Sequence, residues 1–444
     1  MTQLQTATPE FQTATIKKVT RRLIPLLILF YVLAFVDRSA IGFAKLTMNA
    51  DLGLSEAMYG LGAGLFFIGY FLFEVPSNLL MHRFGARKWF ARILITWGLI
   101  TALMAFAQGP VTFYILRFLL GAAEAGFFPG VIFYLTLWYP AKFRKSATSQ
   151  FVLAQPIALM LMAPLAGWML GLSGFGMQGW QWLFIVVGVA AMLGAFPCLK
   201  YLTDRPKNAA WLDAQEAQWI EDQLARDAAE SGAADHKNPL RALLDKRVLL
   251  LGFVYVLLCT GVYGLGFWLP TVIKAFGVSN MVTGLLTMIP YVAAIAGLLF
   301  TAWAVKRYNG NYLPLAIAFG GSAVGMFMST VFSQPTLQLV FLSLCAFFIF
   351  PTTSTFWPIP SSILVGATAA AGIAAINSIG NLGGFVGPYI VGAIADATGS
   401  TRYGMVFLSG CLALACVMVG VVKATLGKRA ARVEPDLQPA ESLA

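Results

Sequence analysis

Two pairs of ionisable residues stand inside stretches that are otherwise apolar. Asp37 and Arg38 lie in the run that starts near Leu23, and Arg117 and Glu124 in the run that starts near Thr112. If these runs cross a membrane, each charge costs at least about 2.5–3.5 kcal/mol at the bilayer centre. Asp37 is 14 residues into its run, about 21 Å along at 1.5 Å per residue and so a little past the middle. Arg117, Gly121 and Glu124 are spaced i, i+4, i+7, which puts them on one helix face with the glycine leaving room between the charges. A neutral lock between two helices is one reading, but apolar packing locks helices at lower cost. The other is transport chemistry, in which the arginines attract an anion while the carboxylates bind and release a proton. An anion that competes for the arginine leaves the carboxylate to take up that proton, so two solutes are coupled without covalent chemistry.

Neutral polar residues extend the pattern. Tyr70, near mid-depth of the second run, offers a hydroxyl to a ligand or an aromatic ring to the packing. Glu74 follows one turn later, just before Pro76, and reads as a gate or a loop anchor. Gln155 is polar at useful depth in the fifth run and suits either a ligand contact or a helix–helix hydrogen bond. Asn377 and Asn381, i and i+4 in the eleventh run, are positioned to face a cavity together. Gly380, Gly383, Gly384, Gly387 and Pro388 beside them allow close helix approach or a bend. Between Val248 and Leu426 every charge falls near the end of a run. Charge handling is therefore expected in the first half of the chain and shape recognition in the second.

The elements that must position these groups follow from composition. Of 444 residues, 59% are apolar and 11% charged, with mean hydropathy +0.76, against roughly 45–50% and 25% in ordinary soluble proteins. Such a chain cannot cover its surface with polar groups, which excludes a soluble enzyme, a disordered scaffold and a secreted module. Twelve runs reach spanning length, starting near Leu23, Met58, Phe90, Thr112, Ala147, Gln181, Val248, Met281, Tyr312, Thr336, Thr368 and Tyr403. The expected fold is an all-α polytopic membrane protein with twelve transmembrane helices in two six-helix halves. Its parts are a tail (1–22), the first half (23–202), a linker (203–247), the second half (248–426) and a second tail (427–444). Within the linker, Leu212, Trp219, Ile220 and Leu224 are loosely helical in spacing, predicting an amphipathic helix on the membrane face or a solvated connector. The first run follows a polar tail and contains Asp37 and Arg38, so it is not read as a cleaved signal peptide.

Twenty-five of the thirty lysines and arginines fall in segments that share one side if both termini are cytoplasmic. The net charge of +11 is thus a topology signal, and no nucleic-acid partner is needed to explain it. The five cysteines lie in apolar runs without metal-site or CxxC spacing, and free packed thiols are expected. His82 and His236 lie in polar stretches between runs, so no metal site or cofactor is expected within the membrane.

Two six-span halves joined by a long linker resemble the major facilitator superfamily, whose halves rock about a midplane site. Its loop signature after the second span is visible as His82-Arg83-Phe84-Gly85-Ala86-Arg87-Lys88, with His82 where the family usually has Asp. The resemblance makes Arg83, Gly85 and Arg87 gate residues, with a charge relay that is weakened or replaced, Glu74 being one candidate to contribute. More specifically, the chain is similar to the anion:cation symporter family. The match is carried by Phe35-Val36-Asp37-Arg38, by Arg117 to Glu124 through Phe128-Pro129-Gly130, by Asn377-Ser378-Ile379-Gly380-Asn381, and by Asp204-Arg205-Pro206 with Ala210-Trp211-Leu212. That resemblance implies proton-coupled uptake of organic carboxylates such as hexonates, hexuronates, tartrate or aromatic acids. It implies protonation at Asp37 and Glu124, anion contacts at Arg38 and Arg117, and a pocket lined by Tyr70, Gln155 and one of Asn377 and Asn381. Phe35 stands where sugar-acid members often carry Tyr, which tilts the expected substrate toward a smaller or more apolar carboxylate.

The expected protein is therefore a secondary transporter in the bacterial inner membrane, with protons, a small carboxylate and lipid as its partners. By analogy a monomer is expected. The rivals are a same-fold exporter, an organophosphate exchanger and a carboxylate sensor that does not transport. Deep arginines disfavour a cation exporter, and the second half offers no deep arginine to an organophosphate. No HExxH or GxSxG run appears to support a membrane hydrolase.

Overall fold

The computed structural model describes residues 8–230, 245–307, 312–364 and 367–430. His236, much of the linker, and the ends of both tails lie outside these residues. Every regular element among them is a helix. In the first part of the chain these are α1 (Pro9–Leu52), α2 (Glu56–Phe84), α3 (Ala86–Met104), α4 (Pro110–Glu124), α5 (Phe127–Thr136), α6 (Ala141–Val152), α7 (Ala154–Met169), α8 (Gly179–Tyr201) and α9 (Ala214–Glu230). The rest are α10 (Lys246–Lys274), α11 (Asn280–Arg307), α12 (Tyr312–Val331), α13 (Pro335–Phe356), α14 (Pro358–Ile363), α15 (Ala367–Asn381), α16 (Gly383–Thr398) and α17 (Thr401–Ala430).

The twelve runs read from sequence appear as α1, α2, α3, α4 with α5, α6 with α7, α8, α10, α11, α12, α13 with α14, α15 with α16, and α17. Eleven of them are long and apolar enough to cross a membrane. The twelfth, α3, is short and carries Arg87, Lys88 and Arg92 in its first two turns, where basic side chains reach back to the interface. α1 is longer than its apolar run because Thr8 accepts a capping bond from the Phe11 N–H and Pro9 suits the first helical turn. Most of the polar tail is thus the helical start of α1.

Several spans are broken, and the break after Glu124 bears on the site. Ala125 is extended and Gly126 has φ +84°, so α4 ends at Glu124 and α5 starts afresh at Phe127. A side chain on Gly126 would meet Ser77 of α2 at 2.5 Å, so both the left-handed backbone and the close approach favour glycine. The eleventh span is interrupted at Leu382, directly after Asn381, but more mildly, since Leu382 keeps helical backbone angles (φ −61°, ψ −24°).

The described residues divide into two compact units. In the first, comprising residues 8–230 and 266–288, α2 crosses α4 at glycine contacts. A Cβ on Gly121 would lie 1.9 Å from the Phe66 carbonyl oxygen, and one on Gly69 would lie 2.2 Å from the Phe118 carbonyl oxygen. The room expected beside Gly121 is therefore occupied by the α2 backbone. In the second unit, residues 245–265 and 289–430, the expected glycine run packs α15 and α16 against α10. Gly380 faces the Tyr255 ring, Gly383 the Val256 carbonyl and Gly387 the Thr260 carbonyl.

α9, expected as an amphipathic helix on the membrane face or a solvated connector, turns its apolar side to the protein and leaves other residues exposed. It docks on protein: Ile220 is fully buried, Trp219 meets Phe11 edge-on at 6.2 Å, and Lys18 reaches Glu216 at 2.6 Å. Asp227 accepts from the Ala141 N–H at 2.6 Å, capping α6. Trp211 lies before the helix, stacked on Trp138 at 5.5 Å and 9°.

Candidate functional site

The charged residues singled out from sequence gather in the first unit. Arg38 of α1 donates from Nε at 2.8 Å and from Nη2 at 2.6 Å to the same Glu124 oxygen, Oε1. Glu124 is fully buried, and its other oxygen, Oε2, has no hydrogen-bond partner. Asp37 is arranged alike: Oδ1 accepts from the Thr101 hydroxyl of α3 at 2.6 Å, while Oδ2 is buried without a partner. A buried polar atom without a partner is costly when it carries charge. Two carboxyl groups thus each have one oxygen anchored and one without a hydrogen-bond partner.

Arg117 behaves differently from its reading as Glu124's neighbour. It is buried, and its Nε and Nη2 donate to the backbone carbonyls of Gly62 and Ala63 at 3.3 and 3.4 Å. Among the described residues it forms no ion pair, although Asp37, Glu124 and Arg38 all act on it electrostatically. Its bonds are long and made to neutral carbonyls, so no directly bonded carboxylate offsets its charge. The Phe66 ring lies 5.2 Å from the Arg38 guanidinium and 5.1 Å from that of Arg117. Tyr70 is also brought in, with its ring 5.1 Å from Arg38. Such cation–π contacts hold guanidinium groups without neutralising them.

The remaining predicted residues each lie on a helix of their own unit. Glu74 is buried on α2, and its carbonyl accepts from the Asn78 side chain at 2.9 Å. Gln155 is half-buried at the start of α7. Asn377 and Asn381 are half-buried in the second unit, with Asn381 at the break of its span.

The loop motif is built around an acid that sequence reading left outside it. Gly85, with φ +84°, begins α3 and has no side chain to cap it. Asp204, beyond α8, supplies the cap: its Oδ1 accepts from the Arg87 N–H at 2.8 Å, and its carboxylate would lie 3.0 Å from a Gly85 Cβ. The Arg87 side chain then donates to the Leu199 carbonyl at 2.6 Å. Arg83 is exposed, its guanidinium 5.7 Å from the Phe84 ring, and His82 packs on Phe133 at 4.0 Å. Asp204 thus caps the start of α3 beside Gly85, while Glu74 is buried elsewhere on α2. Asp204→Ala should lower stability by about 1 kcal/mol, as for loss of a helix N-cap, with Asp204→Asn milder because it keeps an acceptor. Thermal unfolding of the detergent-purified protein measures this, and an unchanged midpoint for Asp204→Ala would remove the cap from the account.

Two further residues had little signal in sequence. Thr101, the anchor of Asp37, is a single hydroxyl in an apolar helix. Lys45 is 4% exposed, bridged to Glu56 at 2.5 Å and seated 4.1 Å over the Trp268 ring. Among the described residues no cluster of His, Cys, Asp and Glu could hold a metal. All five cysteines are free.

Comparison with known proteins follows this geometry. The profile described as Major Facilitator Superfamily matches residues 27–388. A quinolone resistance transporter of Acinetobacter baumannii is 49% identical over 95% of this chain and 97% of its own. A protein of Agrobacterium vitis named as a tartrate transporter is 42% identical over 96% and 98%. Among solved structures, an inward-facing bacterial homologue of the human lysosomal transporter Spinster superposes with a TM-score of 0.74 over 95% of this chain and 98% of that one, at 15% identity. These matches, with the twelve spans and the intramembrane charges, identify a multi-pass membrane transporter with no enzymatic role: the chain belongs to the major facilitator superfamily.

Proposed function

We propose that this protein imports a small organic carboxylate together with protons across the bacterial inner membrane by alternating access. The observation that carries the reading is the buried Arg38–Glu124 pair, with one Glu124 oxygen anchored and the other unpartnered. A substrate carboxylate that takes Arg38 displaces Glu124, and a displaced buried carboxylate is stable only when protonated. Anion and proton then bind together, and Arg117 adds positive charge to hold the anion. Asp37, anchored by Thr101, is the second proton carrier. Tyr70, Gln155, Asn377 and Asn381 complete the proposed substrate-contacting set. Glu74, Arg83, Gly85 and Arg87 serve the gate, both termini are cytoplasmic, and the protein acts as a monomer.

The test uses purified protein in liposomes holding a pH dye. Hexonates, hexuronates, tartrate, phthalate and benzoate-like acids are added one at a time. The expected result is acidification of the lumen with one class of acid. Silence across the panel with folded protein, together with radiolabel exchange of one of these acids, would replace symport with facilitated diffusion. Silence in both assays would leave a sensor.

The quinolone resistance relative supports a second reading, in which the same site expels a carboxylate-bearing drug. That reading is favoured if cells expressing the protein lose quinolone susceptibility and accumulate less of the drug.

A further inference from the structure

Lys45 places a second cation on α1, two turns beyond Arg38 and toward the loop that ends the helix. Arg38 and Lys45 are i and i+7 on α1, and the rings they lie over, Phe66 and Tyr59, are seven residues apart on α2. Both contacts therefore fall in one α1–α2 groove, about 10.5 Å apart along it. The Lys45 ammonium lies 5.2 Å from the Tyr59 ring and 4.1 Å from that of Trp268, and it donates to the Thr271 hydroxyl at 3.1 Å. Residues 266–288 belong to the first unit, so this seat is built within it. Each cation carries a carboxylate, Glu124 on Arg38 and Glu56 on Lys45. Arg117 meets α2 between the two rings, at the Gly62 and Ala63 carbonyls. Tyr59 is within electrostatic reach of both Arg117 and Glu56.

The two partners at Lys45 differ in their access to water. The Glu56 side chain is 38% exposed and that of Lys45 only 3%. Glu56 stands in the first turn of α2, where the helix N-terminus favours a carboxylate even after it turns outward. Lys45 is held by Thr271 and the two rings and cannot follow, and a buried ammonium that loses its carboxylate calls for another anion. Resting on the proposed carboxylate transport and the cytoplasmic N-terminus, we propose that Lys45 is an outer anion station, where a substrate carboxylate displaces Glu56 before passing inward to Arg117 and Arg38. A lock between α1 and α2 would be made at lower cost by apolar packing. Lysine also suits a transit point: it holds a carboxylate as a point charge, without the bidentate grip of an arginine. The anion thus moves from the looser cation to the two that can grip it.

The test is initial uptake by intact cells expressing the protein, with the radiolabelled acids of the liposome panel as probes, tartrate first. Lys45→Gln should raise KM for the external acid about tenfold, as for loss of one charge-assisted hydrogen bond, with a smaller effect on kcat. Glu56→Gln removes the competing carboxylate and should lower KM about threefold, within the range for a partly exposed ion pair. Lys45→Arg keeps the charge and should stay nearer the parent than Lys45→Gln. An ion pair with a purely structural role is broken by either glutamine variant, so it would shift KM the same way in both. Shifts of the same sign, or no shift in either, would overturn the station while leaving carboxylate transport standing. Gel filtration of the purified variants checks folding. If Lys45→Gln misfolds, Glu56→Gln decides alone, and an unchanged or raised KM overturns the station. Uptake of none of the acids by cells holding folded parent protein would overturn the carboxylate reading and the station with it.

Discussion

Glu124→Gln should retain substrate exchange and lose all accumulation driven by a proton gradient. Glutamine has the shape of a protonated glutamate, so the variant is fixed in the state that the substrate anion would otherwise have to induce. Arg38 then faces an amide in place of the carboxylate that receives both its bonds on Oε1, and a substrate carboxylate meets less competition for it. Counterflow should therefore continue, with an affinity that depends less on pH, Asp37 being the carboxyl group that still titrates. Accumulation requires the proton to leave on the other side, which glutamine cannot arrange. With a gradient of one pH unit, each coupled proton supplies about 1.36 kcal/mol, or roughly a tenfold substrate ratio, and the variant should fall to a ratio of about one. Asp37→Asn should also abolish accumulation, although its anchored oxygen can still accept from Thr101. Radiolabelled uptake and counterflow in liposomes measure both variants. Normal accumulation by both would take the proton away from these acids.

The same residues show how far sequence carries such a site. Asp37, Arg38, Arg117 and Glu124 were legible because a charge in an apolar run is expensive and so stands out against its background. Their pairing was not legible. Equal helical spacing placed Arg117 and Glu124 on one face, yet Glu124 reaches across to Arg38 while Arg117 donates to the α2 backbone. Which partner wins depends on how α2 lies against α4, and that crossing is set by contacts at Gly69 and Gly121. Thr101 was hidden because a threonine in an apolar helix commonly satisfies itself on its own backbone, as Thr287 does on the Thr283 carbonyl. The twelve spans were readable from hydropathy because the bilayer fixes their length. The docking of α9 was not, since its Ile220 and Trp219 look the same whether they meet lipid or protein.

The glycine crossing that sets the charge geometry supports a prediction about folding. Gly121→Ala should prevent α2 and α4 from reaching their native separation. Its added Cβ would lie 1.9 Å from the Phe66 carbonyl oxygen and 2.9 Å from the Tyr70 nitrogen, and both are backbone atoms that cannot rotate away. The helices must part, and the shift is passed to Phe66 and Tyr70, the rings beside Arg38. Overpacking of this kind costs about 3 kcal/mol or more, a fall of roughly 6–12 °C in unfolding temperature by the scaling for domains of 150–250 residues. Gly410→Ala is the control. It lies within α17 with nothing inside 4 Å of the new Cβ, so the gain in helix propensity, up to about 1 kcal/mol, should leave stability unchanged or slightly raised. Thermal unfolding and gel-filtration profiles of the two purified variants test the contrast. Equal stability would mean that α2 and α4 can slide apart freely, and the close crossing could then no longer be what orients Arg117 and Glu124.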